Sequence, residues 1–392
     1  MNKYFVDLHV HIGRSSGGRE IKKATANNLT FENIAYESYY RKGIDVIGVV
    51  DCISPYVIAD IEELMSKGEL TEKQGGGMDY RGVQTLLLGA ELETHEEWGC
   101  SSHSLCFFSG LRQIKEFAEE MTGYIKNIKA CSFMTRLNGQ SLFNIVDAHG
   151  GVYIPAHAFT PHKSFYGNCC ESLHQIFDDR SFEKIPTVEL GLSADAMMAS
   201  QLSELDDKTF ISNSDAHSLG KMGREYNIFE MEEPTYAEVL LALKNQAGRR
   251  IVANYGLNPK LGKYHRTYCP VCDRILEGIP PVLQCPASEK HPVVVGVLDR
   301  LEVIKDKAGP DMKGRAPYNY QIPLEFLPKV GPKTIDRLIE SFGNEMNILH
   351  KATFDQLAAV VKEDIANNII LAREGKLGIE VGGGGTYGKI ES

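Results

Sequence analysis

YFVDLHVH, residues 4–11, is the stretch on which the reading of the fold turns. Its apolar positions run almost unbroken up to His9 and His11, as in a strand buried on both faces. Residues two apart on a strand point the same way, so both imidazoles are available to one ion. Outward from it the pattern recurs. DVIGVVD (45–51), QTLLLGAELE (84–93), HSLCFF (103–108), GVYIPAHA (151–158), TVELGL (187–192) and TFISNSDAH (209–217) are near-continuous apolar runs. Helices fit between most of them. Phe31, Ile34, Ala35 and Ser38 share one face of 30–42 ahead of Gly43, and Thr235 with Glu238 has capping-box spacing. Strands alternating with helices predict an α/β barrel of parallel strands over residues 1–255 rather than an open sheet. Residues 56–83, which contain three consecutive glycines (75–77), read as an inserted mobile lobe or loop.

Ligand-type side chains gather at the strand ends. His9 and His11 close the first run, Asp51 the second, and Glu91 lies near the end of the third. His103 opens the fourth, His157 lies near the end of the fifth, Glu189 is in the sixth, and Asp215 and His217 end the seventh. The carboxyl ends of barrel strands converge on one rim, where active sites are built. A single buried histidine is more often a satisfied core residue than a ligand. Five histidines with three acids at successive strand ends are not explained that way. Imidazole with carboxylate suits Zn²⁺, Mn²⁺ or Fe²⁺, with Mg²⁺ a further candidate, and Glu91 is able to bridge two ions.

DLHVHI, GVVD, GAELE, the lone His103, PAHAF and SDAH resemble the motif series of the PHP (polymerase and histidinol phosphatase) family. The resemblance implies a distorted (β/α)7 barrel holding two or three divalent metals and hydrolysing phosphoesters. It also implies His9, His11, Asp51, Glu91, His103, His157, Asp215 and His217 as ligands. Where many members carry an Asp-His pair after the second strand, this chain has Asp51-Cys52, and Cys52 reads most simply as an apolar filler. Glu189 reads equally as a ligand or as a supporting carboxylate. Two ions lower the pKa of a water enough that no side-chain nucleophile is needed. Asp51, Glu91, Asp215 and His217 would then position that water.

The whole-chain charge at first argues against nucleic acid: 392 residues carry 42 Lys+Arg and 52 Asp+Glu, a net −10. Its distribution reverses the argument. Residues 1–255 hold 24 basic and 35 acidic residues, whereas 256–392 hold 18 and 17. The acidity belongs to the barrel, where cations would cancel part of it. No run of about 18 apolar residues and no basic-then-apolar leader is present, so a cytoplasmic, nucleoid-associated protein without a membrane partner is expected. Of nine cysteines, Cys52, Cys100, Cys106, Cys131, Cys169 and Cys170 are scattered as buried free thiols are, and a disulfide framework is not expected.

The other three cysteines fall after a linker at Asn254–Lys263, in a segment (256–312) that also contains the helix-like GVLDRLEVIKDKAG (296–309). Cys269, Cys272, Cys285 and His291 read C-x2-C-x12-C-x5-H, a four-ligand structural zinc site with His265 in reserve. Residues 313–392 begin with a connector, RAPYNYQIP (315–323), and read as helical up to Gly382–Gly385. There, FLPKVGPKTIDRLI (326–339) resembles a helix-hairpin-helix, with Lys329, Gly331, Lys333 and Thr334 placed to hold a DNA phosphate at a helix N-terminus. Residues 349–375 resemble a second hairpin half. The closing GGGGTYGKI (382–390) reads either as a flexible tail or as a backbone contact loop.

A PHP barrel, a zinc module and a helix-hairpin-helix tail, in that order along the whole chain, resemble the endonuclease Q family. The resemblance implies cutting of DNA on the 5′ side of deaminated bases (uracil, hypoxanthine, xanthine) and at abasic sites. Selecting such a base requires extruding it into a pocket. Phe159, Phe165, Tyr166 and Asn213 are candidates for that pocket, and Arg14, Lys163 and Arg224 for the scissile phosphate. A replication or repair protein is a further candidate partner, although the chain offers no recognisable clamp-binding peptide. Two rival readings are a histidinol-phosphate-type phosphoesterase of small molecules and a non-catalytic DNA-binding adaptor.

Overall fold

In the computed structural model, which describes residues 1–129 and 133–390, the first strand, β1 (Asn2–Val10), is central to a ten-stranded sheet. β2 (Val46–Val49) pairs with it in parallel. The region read as a mobile insertion is ordered: a helix, Pro55–Ser66, leads into a hairpin of β3 (Leu70–Glu72) and β4 (Met78–Tyr80). That hairpin pairs antiparallel with β5 (Gln84–His95) and extends the sheet, because Leu70, Met78 and Tyr80 bury on the barrel core. β5 runs parallel to β2, then turns tightly into β6 (Ser101–Phe108), which is antiparallel to both β5 and β7 (Val152–Pro155).

The ring closes through β8 (Thr187–Glu189) and β9 (Thr209–Ile211), a separate parallel pair. The Ala158 amide donates to the Glu189 carbonyl (2.9 Å), joining the end of β7 to β8. After β9, His11 and Ala216 exchange bonds with the end of β1: His11 N–H to Ala216 O and Ala216 N–H to His9 O, each 3.1 Å. All seven expected strands therefore form one ring, with the expectation of parallel strands corrected at β6. The reversal has a chemical use. Because β6 descends from the rim that β5 climbs to, His103 at its start lies opposite Glu93, beside Glu91. Outside the ring, β10 (Tyr226–Met231) and β11 (Arg250–Gly256) extend the sheet from the first half of β1.

Two helix details differ from expectation. The helix beginning at Phe31 keeps α geometry to Tyr36 and then widens to a π turn over Glu37–Lys42, ending at Gly43 with φ 82°. Only half of the capping box at Thr235 forms, since Thr235 caps the Glu238 amide while the Glu238 carboxylate is drawn to Arg249 and the Glu232 amide. The cysteine reading also needs correction: Cys100 and Cys169 form a disulfide, because the β5–β6 turn lies against the segment Phe165–Cys169. Cys52, Cys106 and Cys170 are buried free thiols as expected, and Cys131 lies outside the described residues.

Beyond the barrel, β12 (Tyr268–Cys269) and β13 (Arg274–Ile275) make a small knuckle, and β14 (Tyr318–Tyr320) returns to the large sheet beside β11. Helices follow at Pro332–Phe342, Glu345–His350, Phe354–Ala358 and Glu363–Arg373. The glycine run is not a loose tail, although Gly384, Gly385 and Thr386 at its tip are exposed. Its backbone docks on the linker, with the Gly382 amide donating to Lys260 O (2.7 Å) and the Gly388 amide to Leu261 O (2.9 Å). A Cβ on Gly388 would stand 2.2 Å from Glu380 O, so only glycine permits that approach. Among the described residues no helix is long and apolar enough to cross a membrane.

One buried acid gives the fold a pH dependence. Glu225 is fully buried; one oxygen accepts the Leu257 amide (2.7 Å) and the other has no partner among the described residues. Burial pushes its carboxyl up to about 8, against an ordinary 4.5. A raised carboxyl pKa contributes stability that is full below about pH 4.5 and is lost as pH rises through about 8. Glu225→Gln is therefore expected to raise the melting temperature by several degrees at pH 9, with the gain fading towards pH 5. An equal gain at both pH values, read by thermal melts, would refute this account.

Candidate metal centre and adjoining cavity

Strand geometry delivers two trios of ligand-type side chains to the rim. One ligand atom each from His9, His11 and Asp215 lie within 4.8 Å of one another, and the same holds for Glu91, His103 and His157. The two trios touch, since His9 Nε2 is 3.5 Å from Glu91 Oε1 and 3.6 Å from Asp215 Oδ1. His9 and His11 are fully buried. Each has its Nδ1 engaged from behind: His9 Nδ1 lies 3.0 Å from Glu189 Oε1, and His11 Nδ1 lies 3.0 Å from Asp51 Oδ2. The two Nε2 atoms are thereby turned towards each other, 3.2 Å apart. With an Nδ1–H directed at each carboxylate, both Nε2 lone pairs would be free for one cation. The donor set fits divalent metals, and the carboxylates behind the rings are the usual means of aiming a histidine ligand.

Not every expected ligand stands in a trio. Asp51 lies behind His11 and also accepts the Ile12 amide (2.7 Å). Glu189 lies behind His9, accepting from Asn213 Nδ2 (2.8 Å) and from the His157 amide (2.7 Å). His217 sits beside the first trio, its ring 4.6 Å from that of His11, with Nδ1 3.1 Å from Asp215 O. Burial and the neighbouring His11 bring His217 down to about 4, leaving a neutral imidazole. Burial opposes ionisation of Glu91 as well, but His103, Lys22 and His11 outweigh it and hold its carboxyl well below the ordinary range. His157 and Asp215 adopt positive φ (28° and 43°), backbone strain of the kind that collects at functional sites.

Beside Asp215 and His157 opens a cavity of about 230 Å³, lined also by Ser193, Asn213, Tyr264 and Tyr387. Of the pocket candidates only Asn213 reaches it. Phe159, Phe165 and Tyr166 are buried beneath the rim, with the Phe159 and Tyr166 rings stacked at 5.1 Å and Tyr166 Oη bonded to Glu204 (2.7 Å). Aromatic identity near a histidine motif suggested a base pocket; their packing makes them core. Of the phosphate candidates, Lys163 reaches the rim and pairs with Glu93 (2.8 Å), whose carboxyl is held to about 2 by His103 and Lys163 against its burial. Arg14 is spent on Asn27 and Gly18 O within its own loop. Arg224 is buried, donating to Ser214 O (2.7 Å) and to Tyr387 Oη (3.0 Å).

Three residues of the site had no signal in the sequence. Tyr387 is brought to the cavity by the docked glycine loop, its ring under Lys263 Nζ (4.7 Å). Lys263 lines the same cavity. Lys22, one of two adjacent lysines in the sequence, has its Nζ 2.7 Å from Glu91 Oε2.

Away from the barrel, ligand atoms of Cys269, Cys272, Cys285 and His291 also lie within 4.8 Å of one another. His265 is outside that group. Burial works to raise the Cys285 thiol, but hydrogen bonds from the Ala287 backbone and from His291 bring it down to about 6, towards the thiolate that zinc requires. In the tail, Gly331 caps the helix Pro332–Phe342 with no atom within 4 Å of where its Cβ would stand, so the helix start is open to an approaching group. Lys333 is exposed and Thr334 partly so, while Lys329 is paired with Asp364 (2.8 Å). The helix expected before this turn is a single 3-10 turn, Leu324–Phe326.

Comparison with known proteins agrees with this architecture. Residues 196–247 match the PHP-associated family. The chain is 46% identical over 400 residues to the uncharacterised YqxK of Bacillus subtilis, covering 100% of both. It is 37% identical over 253 residues to MJ0043 of Methanocaldococcus jannaschii, covering 59% of this chain and 31% of that one. It superposes on the crystal structure of PfuEndoQ, the lesion-specific endonuclease of Pyrococcus furiosus, with a TM-score of 0.84 and 30% identity over 100% of this chain and 95% of that one. An endonuclease Q bound to a 27-mer duplex substrate with an abasic lesion at the active site matches equally well, with a TM-score of 0.84 and 30% identity over 100% and 96%. The chain belongs to the endonuclease Q family.

Proposed function

We propose that this protein is a metal-dependent DNA endonuclease of repair, hydrolysing the phosphodiester 5′ to uracil, hypoxanthine or xanthine, or at an abasic site. The observation that carries this reading is the junction of the two ligand trios with a cavity large enough for one base. His9, His11 and Asp215 would hold one divalent cation and Glu91, His103 and His157 a second, with zinc, manganese, iron or magnesium as candidates. Such ions supply Lewis acidity and an activated water at neutral pH.

The remaining work falls to the chain's own side chains. Glu189 and Asp51 fix the ring orientations of His9 and His11. Asn213 and Ser193 line the cavity that would take an extruded base, and the Tyr387 ring forms one of its walls. Arg224 ties Tyr387 to the loop that carries Asp215, since it bonds Tyr387 and the Ser214 carbonyl together. Gly331, Lys333 and Thr334 would hold the DNA backbone without reading sequence, and Cys269, Cys272, Cys285 and His291 would hold one structural zinc.

The test is a labelled duplex with one uracil, incubated with the protein and Mn²⁺, Zn²⁺ or Mg²⁺. The expected result is a single nick on the 5′ side of the uracil, abolished by a chelator. A strand left whole with all three metals would end this reading. Turnover of free phosphate monoesters that survives removal of residues 256–392 would favour the small-molecule phosphoesterase instead.

A further inference from the structure

The loop after β1 folds back on itself. The Ile21 amide donates to Gly13 O (2.9 Å), the Ser15 amide to Arg19 O (2.9 Å), and the Ile21 side chain is buried. This turn aims the next residue, Lys22, into the barrel mouth, while Lys23 stays exposed. Lys22 Nζ lies 2.7 Å from Glu91 Oε2 and 2.9 Å from His11 Nε2. One ammonium thus touches a side chain from each trio, on a residue whose side chain is only 18% exposed.

Lys22 pairs with Glu91, and Asp51 and Asp215 lie close to it as well. Those carboxylates are the ones that divalent cations would claim. With two cations beside it, a like-charged ammonium gains most from the next anion to arrive, and a phosphodiesterase brings one to this point. We infer that Lys22 is a catalytic residue that grips a non-bridging oxygen of the scissile phosphodiester. The inference rests on the hydrolase reading above. A donor aimed at an oxygen that gains charge in the transition state acts on turnover more than on binding, and removing one such donor costs about 10²–10³-fold.

The test uses full-length Lys22→Met and Lys22→Arg on uracil-containing duplex and on bis(4-nitrophenyl) phosphate, with Mn²⁺ binding followed by calorimetry without substrate. Lys22→Met is expected to lower kcat on both substrates by about 100-fold, with KM for DNA within about threefold, and Lys22→Arg to recover at least about tenfold. Mn²⁺ should bind Lys22→Met with unchanged stoichiometry and no weaker affinity. Turnover of Lys22→Met within about threefold of wild type, or loss of one Mn²⁺ equivalent, would overturn the inference, the latter by making Lys22 a prop for Glu91. If the wild type leaves DNA whole but hydrolyses the small diester, and Lys22→Met slows that hydrolysis, the phosphate grip stands and the DNA reading falls. If the wild type hydrolyses neither, both fall.

Discussion

Replacing His9 by alanine is expected to cut nicking of uracil-containing DNA by about 10³-fold or more while leaving DNA affinity within about twofold. His9 is the hinge of the site: its Nε2 approaches His11, Glu91 and Asp215 at 3.2, 3.5 and 3.6 Å. Its loss opens the first trio and leaves Glu189 buried with one partner fewer. Changing only the carboxylate behind a ligand costs about 10–100-fold in comparable sites, so removal of the ligand itself must cost more. Glu189→Gln provides the internal scale and should fall in that smaller range. Nicking assays paired with fluorescence anisotropy on the same duplex separate the two effects. A parallel loss of affinity would mean that the metal centre, and not the helical tail, holds the DNA.

The second large effect is expected at the cysteine knuckle. Its fully buried cluster consists of Cys269, Leu276 and Cys285 alone, with Cys272, Val282 and Val293 partly buried against them. That is too little apolar surface to fold a segment of this length, so its order would depend on a bound ion, and zinc contributes about 10–16 kcal/mol in small modules of this kind. Cys269→Ser is therefore expected to reduce bound zinc by one equivalent, measured by mass spectrometry, and to expose residues 265–295 to protease. The damage should travel. Gly383 and Gly384 of the docked loop lie against Ile275 and Tyr268 of the knuckle, and Tyr387 follows them into the cavity. Lesion cleavage should fall at least about tenfold while the barrel keeps its metals. Retained zinc with unaltered cleavage would refute the structural role.

Much of the barrel and of its ligands was legible because strand chemistry is local. Two imidazoles two residues apart at the end of β1, His9 and His11, and again an acid and an imidazole after β9, announce their shared direction by spacing alone. His103 was legible as a candidate ligand but not as a partner of Glu91, because that adjacency depends on β6 reversing direction, which composition does not encode. Residues such as Lys22, Tyr387 and the Cys100–Cys169 pair were illegible for a different reason. Each owes its role to a neighbour far away in sequence: Glu91, Arg224, or the other cysteine. Phe159, Phe165 and Tyr166 show the converse error, in which side-chain type near a motif was read as function although burial makes them structural.

The docked glycine loop also sets an order of assembly. The six trio residues lie between His9 and Asp215, on neighbouring strands of one ring, whereas the cavity wall is supplied by Tyr387 after the whole helical tail has intervened. A chain is made from its N-terminus, so the trio residues emerge from synthesis well before Tyr387. A partly folded or newly made chain would thus possess its cutting centre before it possesses the wall that limits what enters. If the cavity selects the base as proposed, discrimination would mature later than reactivity, and an agent that unseats the tail would return the chain to that earlier, less selective state.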